Sequence, residues 1–135
     1  MIDNLTFSSS LASAIQTATG ITTITEGSTE TVDGEFSDVL ILTLGSSTEA
    51  VPTNATYRLD YRLGYVTQPE TYTEEDLVAR RAEVYQDVYD YIDGLDRYDE
   101  LGDGVILQAD ISPWEVNYDG TAIAYSIPIN MVVQL

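Results

Sequence analysis

One segment of this chain, residues 55–66, alternates apolar and polar side chains at nearly every position. A period of two residues is that of a β-strand with one buried and one solvated face, which is typical of antiparallel sheets. The face predicted to be buried carries Tyr57, Leu59, Tyr61, Leu63 and Tyr65, and the opposite face carries Arg58, Asp60, Arg62 and Gly64. The rest of the chain must therefore supply a layer that covers an aromatic sheet face.

Residues 73–94 are predicted to form an amphipathic helix that supplies part of this layer. Thr73 and the three carboxylates that follow it resemble a capping box and place negative charge at the positive end of the helix, and Gly94 ends it. The apolar arc collects Leu77, Val78, Val84, Tyr85, Val88, Tyr89, Ile92 and Leu95. Arg81 projects into this arc, so either its alkyl stem packs while its head reaches solvent, or it pairs with a carboxylate.

The remaining segments predict one short helix and several strands. Apolar residues at helical spacing predict a helix over residues 9–19 that stops at Gly20. Asp119 and Gly120 suit a hairpin turn, and Pro128 indicates an edge strand or a bulge. Strands are predicted at residues 21–26, 38–44, 105–111, 114–118 and 121–134, and long polar loops at residues 26–36 and 46–54.

This order of elements predicts an α+β fold. Residues 1–135 are expected to form a single domain, because a chain of 135 residues has the usual size of one compact unit. We expect a mainly antiparallel sheet of about five strands with two helices packed on one face.

The charge balance excludes many functions. The chain has 23 Asp and Glu against 5 basic residues, all arginines, and its formal net charge is -18. It contains no lysine, histidine or cysteine, so thiolate, imidazole and Schiff-base chemistry and histidine- or cysteine-based metal sites are unavailable to it. We therefore predict no enzymatic activity, no cofactor and no metal. Five scattered arginines also make specific binding of nucleic acid or of an anionic membrane unfavourable.

The same balance is typical of proteins that work in concentrated salt. Repulsion among carboxylates disfavours a compact state in dilute buffer, but the Debye length falls to about 3 Å at 1 M salt. The absence of lysine also removes long alkyl stems that concentrated salt would drive into aggregation. The cytoplasm of an extreme halophile, or a virus that grows in one, is the expected setting, and an ordinary acidic protein with few lysines is the alternative.

Two groups of carboxylates are weak candidates for a functional site, one for a cation and one for sugar cleavage. The acids of residues 93–103 could hold a hard cation, but their spacing does not match an EF-hand and predicts a solvated loop. Asp110 and Glu115 flank Trp114, which is the arrangement that a sugar-cleaving enzyme would use. Acids are so abundant in this chain that a structural role for these carboxylates is favoured.

The element order resembles that of the tail terminator (tail completion) proteins of long-tailed viruses, here a virus of a halophilic archaeon. The resemblance covers Leu11 to Val133. It consists of a short N-terminal helix, early strands with a long loop, a tyrosine-rich strand, the helix TEEDLVARRAEVYQDVYDYIDGL and a closing hairpin that ends in SIPINMVV.

The resemblance implies a homo-oligomeric ring, usually a hexamer, that caps the tail tube and joins it to the head-side connector. The partners would be the tail-tube protein and the head-side connector protein, and the location would be the virion, assembled in the host cytoplasm. DNA would pass through the ring without specific binding, because an acidic lumen repels phosphates. The alternatives are a halophilic cytoplasmic binding module and another head-tail connector or tail-tube component.

Contacts between subunits or with partners are predicted at arginines and in the polar loops. Arginine is enriched in interfaces, and every other copy offers many carboxylates, although pairing within the chain is the competing interpretation. The candidate residues are Arg58, Arg62, Arg80, Glu30, Glu35, Thr48 and Glu49.

Overall fold

A computed structural model describes residues 4–25, 38–51, 55–67, 73–119 and 122–135. The described residues form two helices, α1 (Asn4–Thr19) and α2 (Glu74–Asp93). They also form seven strands: β1 (Thr23–Thr25), β2 (Asp38–Val51), β3 (Thr56–Thr67), β4 (Glu100–Leu101), β5 (Gly104–Ile111), β6 (Glu115–Asp119) and β7 (Ala122–Gln134).

The strands make one sheet in the order β1-β2-β3-β7-β5-β4. The β1–β2 pair is parallel and the other pairs are antiparallel. Strand β6 pairs with the first part of β7, and β5 pairs with the last part. The predicted α+β class is therefore confirmed. The described sheet has seven strands rather than about five. The strand that the sequence did not predict is β4, which is only two residues long.

Both helices cover the same face of the sheet, as predicted. The alternation in β3 places its aromatic side chains in the core, where Tyr61 is 1 % exposed. The buried side chains of β7 are Ile127, Ile129, Met131 and Val133, and those of the helices are Phe7, Leu11, Ala12, Ile15, Val84, Val88 and Ile92. The opposite face of the sheet carries the polar residues of β3.

The limits of α2 are as predicted, but α1 begins earlier than residue 9. The Thr73 hydroxyl accepts a hydrogen bond from the Asp76 amide at 3.2 Å, and the Gly94 amide donates to the Asp90 carbonyl. Helix α1 starts at Asn4 because Phe7, which lies one turn before Leu11, is fully buried and adds a turn to the apolar stripe.

The predicted loop over residues 46–54 is wrong for its first part. Strand β2 continues to Val51, and Thr48 and Glu49 pair with Arg58 and Tyr57. Register shifts on both sides of residues 46–49 mark β-bulges. These polar residues lack the alternation that signals a strand, so their conformation follows from pairing with β3 rather than from their own pattern.

Pro128 lies in β7, which is paired on both sides. Of the two predicted alternatives, an edge strand or a bulge, the edge strand is therefore wrong. Its carbonyl accepts a hydrogen bond from the Ser112 amide at 3.0 Å, on the side away from β3. On that side β6 pairs up to Ser126 and β5 pairs from Ile129. In a strand, the nitrogen and the carbonyl of one residue point to the same side. The nitrogen of Pro128 therefore faces the gap between β6 and β5, where no strand requires an N–H donor.

Alkaline unfolding is expected to depend on Tyr61. Burial raises the pKa of Tyr61 to about 12, although its hydrogen bond with Ser8 lowers it somewhat. The folded state therefore holds the phenol proton more tightly than the unfolded state, whose tyrosine pKa is about 10. The resulting stability is complete below pH 10 and is lost as the pH rises through 12, by roughly 3 kcal/mol.

The measurement is chemical denaturation of the native chain and of Tyr61→Phe between pH 8 and pH 12. Tyr61→Phe is expected to be about 1 kcal/mol less stable at pH 8, because the buried Ser8 hydroxyl loses its partner. Its stability should then fall less steeply above pH 10. Parallel pH profiles for the two proteins would contradict the assignment.

Candidate functional site

The open face of the sheet brings two of the predicted arginines together. Arg58 lies between Thr48 of β2 and Val132 of β7, and Arg62 lies between Thr43 and Pro128 in the same strands. Both therefore project from the face opposite the helices. We call this surface the open face and define it by Arg58, Asp60, Arg62, Gln108, Asp110, Glu115 and Asn130.

Arg62 forms an ion pair with Glu115 of β6. The side chains are 54 % and 44 % exposed, so this pair contributes little to stability. Asp60, two residues away on the same strand, accepts a hydrogen bond from the Ser46 hydroxyl at 2.7 Å. The residue that pairs with Arg62 comes from β6, which is separated from β3 by one strand, β7.

Arg58 is exposed and makes no ion pair within the described part of the chain. It borders a shallow cavity of about 380 Å³ that also contains Asp60, Gln108, Asp110 and Asn130. Gln108 donates a hydrogen bond to Asp110 at 2.7 Å, so one of the nearby carboxylates is already engaged. Arg58 is thus a cation whose donors face solvent on a flat polar surface.

Arg80 does not join the open face. Its Nε lies 3.0 Å from Asp38 Oδ2, and its Nη1 lies 2.9 Å from Glu83 Oε1. Burial alone would lower the pKa of Arg80, but the hydrogen bond and charge of Asp38 outweigh this effect and raise it above its ordinary value. The Tyr65 hydroxyl donates to the same carboxylate at 2.8 Å. Arg80 therefore ties α2 to the start of β2.

The other predicted contact residues fall in two groups. Thr48 and Glu49 lie on strand β2 and not in a loop, as described above. Glu30 and Glu35 lie outside the described residues.

The carboxylates are concentrated on the helical side of the domain. Eleven of the 23 lie between Glu74 and Asp103, in α2 and the segment that follows it. On α2, Glu83 and Asp90 are exposed and point away from the core residues Val84 and Val88. The described residues contain no group of three or more acids placed to hold a metal ion, including the segment where a weak cation site was considered.

An aromatic cluster fills the space between α2 and the strands β6 and β7. Trp114 lies at the centre, with ring centroids 6.3, 6.0 and 6.2 Å from those of Tyr65, Tyr85 and Tyr125. The Arg81 guanidinium lies 3.9 Å from the centroid of Tyr125. Arg81 thus stacks on an aromatic ring. The sequence indicated neither this ring nor the position of Trp114.

The carboxylates next to Trp114 in sequence do not form a site with it. Glu115 pairs with Arg62, and Asp110 is opposite Asn130, so both lie on the open face. Trp114 packs among tyrosines on the helical side. The arrangement considered for sugar cleavage is therefore split between the two faces of the sheet.

Comparison with known proteins gives no family assignment, since the sequence matches no family model and no curated protein. Neither helix of the described residues has the length and apolar character needed to cross a membrane.

Proposed function

We propose that this chain is a structural subunit of a homo-oligomeric ring that ends the tail tube of a virus and joins it to the head-side connector. The observation that carries this proposal is the uneven distribution of charge over the domain. Arg58 and Arg62 lie exposed on the open face, which also carries three carboxylates. Eleven carboxylates and the other three arginines lie on α2 and the segment after it. The element order described above is compatible with this role.

A ring of identical subunits needs two different surfaces that fit each other. The open face and the solvent side of α2 meet this requirement, because the helix packs on one face of the sheet and the arginines project from the other. Arg58 of one copy would bind carboxylates on α2 of the next. Its fork of N–H donors matches a carboxylate in geometry, and such charge-assisted pairs are stronger than neutral hydrogen bonds.

Concentrated salt favours this contact. At low ionic strength, copies that each carry a net charge of -18 repel one another over their whole surface. At about 1 M salt the Debye length is about 3 Å, so only groups in direct contact interact. The remaining acids of α2, if they line the passage, would offer DNA phosphates no cationic contact that holds the duplex.

Light scattering at about 1 M KCl tests the ring, because ionic strength in this range screens the net repulsion. The native chain is expected to give a ring-sized mass. Arg58→Glu should raise the dissociation constant of the assembly at least about tenfold, because it places a carboxylate against carboxylates. Arg58→Lys should weaken the assembly less.

Arg97→Glu is the matched control, since Arg97 lies in the segment after α2 and its guanidinium is 5.1 Å from the Tyr98 ring centroid. It should leave the mass unchanged. A monomeric native chain would contradict the ring itself. A ring that survives Arg58→Glu unchanged would contradict only the open face as the contact.

Electron microscopy of labelled virus particles tests the place in the tail. A label on this chain should appear at the head-proximal end of the tail tube. A label along the whole tube would instead indicate a tube subunit, and its absence from particles would contradict a virion role.

A further inference from the structure

Strand β6 has a free edge. It pairs with β7 from Glu115 to Asp119, and no strand of the described residues pairs with its other side. An unpaired edge presents a row of main-chain N–H and C=O groups that another strand can bind. This edge therefore has the capacity to accept an added strand.

Exposed apolar side chains lie on β6 and on α2. Val116 of β6 is 42 % exposed, and Val78 and Tyr89 of α2 are 54 % and 38 % exposed. Val78, Arg81, Tyr85 and Tyr89 follow one another at helical spacings of three and four residues, so they form one stripe along α2.

Arg81 connects this stripe to β6, because it lies over Tyr125, the cross-strand neighbour of Val116. We call the stripe, together with Val116 and Tyr125, the α2–β6 cleft.

Val78 and Tyr89 are exposed, while Arg81 and Tyr85 are half-buried, because α2 uses a different side for its main core contacts. Val84, Val88 and Ile92 are fully or almost fully buried, and they lie at successive intervals of four residues. At 100° per residue, the stripe lies to one side of Val88, the centre of that line. The displacement around the helix is about 20° for Arg81, about 60° for Tyr85, about 80° for Val78 and about 100° for Tyr89. The helix therefore rests on the sheet and leaves its flank open beside β6.

Arg81 gives the cleft a charge preference. Within the described residues it makes no ion pair with a carboxylate, and its guanidinium lies over the face of the Tyr125 ring. Stacking engages the flat face of the guanidinium and leaves its in-plane N–H donors available. A carboxylate that enters the cleft can take those donors in a bidentate arrangement.

We propose that the α2–β6 cleft binds an extended segment of a partner protein, which adds to β6 as a strand. The side chains of this segment that face α2 would include a carboxylate that binds Arg81 and apolar residues that cover Val116 and Tyr89. Main-chain pairing supplies much of the affinity, and the side chains facing the cleft supply the specificity. This site lies apart from the open face and goes beyond the proposed ring contact.

The probe is the labelled peptide TVTETVT, whose alternate positions carry valine, glutamate and valine. Its matched peptides are TVTKTVT, which reverses the charge, and TVPETVT, which removes a main-chain donor. Binding to the full chain is measured by fluorescence anisotropy at about 1 M KCl, where only contacting charges interact. Amide hydrogen exchange of the same samples reports which strand edge is covered.

The peptide TVTETVT is expected to bind at least about tenfold more tightly than either matched peptide, through the Arg81 pair and the added main-chain bonds. Arg81→Gln should remove the preference for glutamate over lysine. Arg97→Gln should not, although Arg97 also lies over a tyrosine ring, that of Tyr98. Val116→Asp should weaken binding of all three peptides. In the native chain, binding of TVTETVT should protect the amides of β6 that point away from β7 from exchange.

Three results would overturn the proposal. The first is no detectable binding at about 1 mM peptide, which corresponds to a binding free energy weaker than about 4 kcal/mol. The second is binding without protection of the β6 amides. The third is a preference for glutamate that persists in Arg81→Gln. If the β6 amides are protected without peptide and lose this protection on dilution, a second copy occupies the edge and the partner assignment is wrong. Arg81→Gln should leave the ring mass unchanged, so failure here is separable from failure of the ring.

Discussion

Transfer from concentrated salt to dilute buffer is expected to unfold this protein. At 0.01 M salt the Debye length is about 30 Å, which exceeds the radius of gyration of about 14 Å for a domain of this length. All the charges behind the net value of -18 then repel one another. We expect a loss of about 5 kcal/mol or more, which is the whole stability of a marginal domain.

The single tryptophan, Trp114, lies in the aromatic cluster and reports this loss by its fluorescence. Thermal melts over a series of KCl concentrations should show a midpoint that rises steeply with salt. The matched variant carries Asp93→Asn, Glu100→Gln and Asp103→Asn, which neutralise exposed carboxylates at the end of α2 and in the segment after it. Asp93 also lies at the negative end of the helix, so its neutralisation removes a second unfavourable interaction.

This variant should keep its fold at lower salt than the native chain. A native chain with the same melting midpoint in dilute buffer and in molar salt would contradict the hypothesis of salt adaptation, and the halophilic host would lose its main support.

Phe7→Ala is expected to destabilise the fold by about 3 to 5 kcal/mol. Phe7 is fully buried, and its ring packs where α1 crosses the start of β5. The smaller side chain leaves a cavity that the rigid sheet cannot close, so both the transfer free energy and the contacts around the cavity are lost. Urea denaturation at constant salt measures the effect, with Ser9→Ala on the exposed side of the same helix as the control.

Gly104 provides an independent check of this packing. A Cβ at Gly104 would lie 2.8 Å from Cδ2 of Phe7 and 2.9 Å from Cδ2 of Leu135. Gly104→Ala alone should cost about 1 to 3 kcal/mol through overpacking. In the double variant with Phe7→Ala its cost should fall, because the ring that it meets is gone. Additive costs, or a Phe7→Ala change below about 1 kcal/mol, would contradict the contact described here.

The two most regular segments of the sequence predicted the architecture. The alternation in β3 fixed which face of the sheet is buried, because the period of a strand assigns every second side chain to one face. The capping residues of α2 fixed both of its ends, because Thr73 and Gly94 meet local hydrogen-bonding needs. These predictions succeeded because each depends on neighbours within a few residues.

The candidate surfaces were only partly predictable. The sequence placed Arg58 and Arg62 on one strand face, and the structure keeps them there. It did not place Arg80, which binds Asp38 of another element, or Arg81, which stacks on Tyr125. The partner of each side chain comes from a distant part of the chain, and nothing in the local pattern identifies it.

The sequence by itself determined the charge, the α+β class and the buried face of β3, since composition and short-range periodicity are sufficient for these. Only the tertiary structure decided that residues 46–51 extend β2 and which arginines pair within the chain. It also decided that β6 has one edge without a partner strand among the described residues. The physical reason is that strand pairing and side-chain contacts depend on which segments the folded core brings together. That arrangement is a property of the whole chain, and no single segment encodes it.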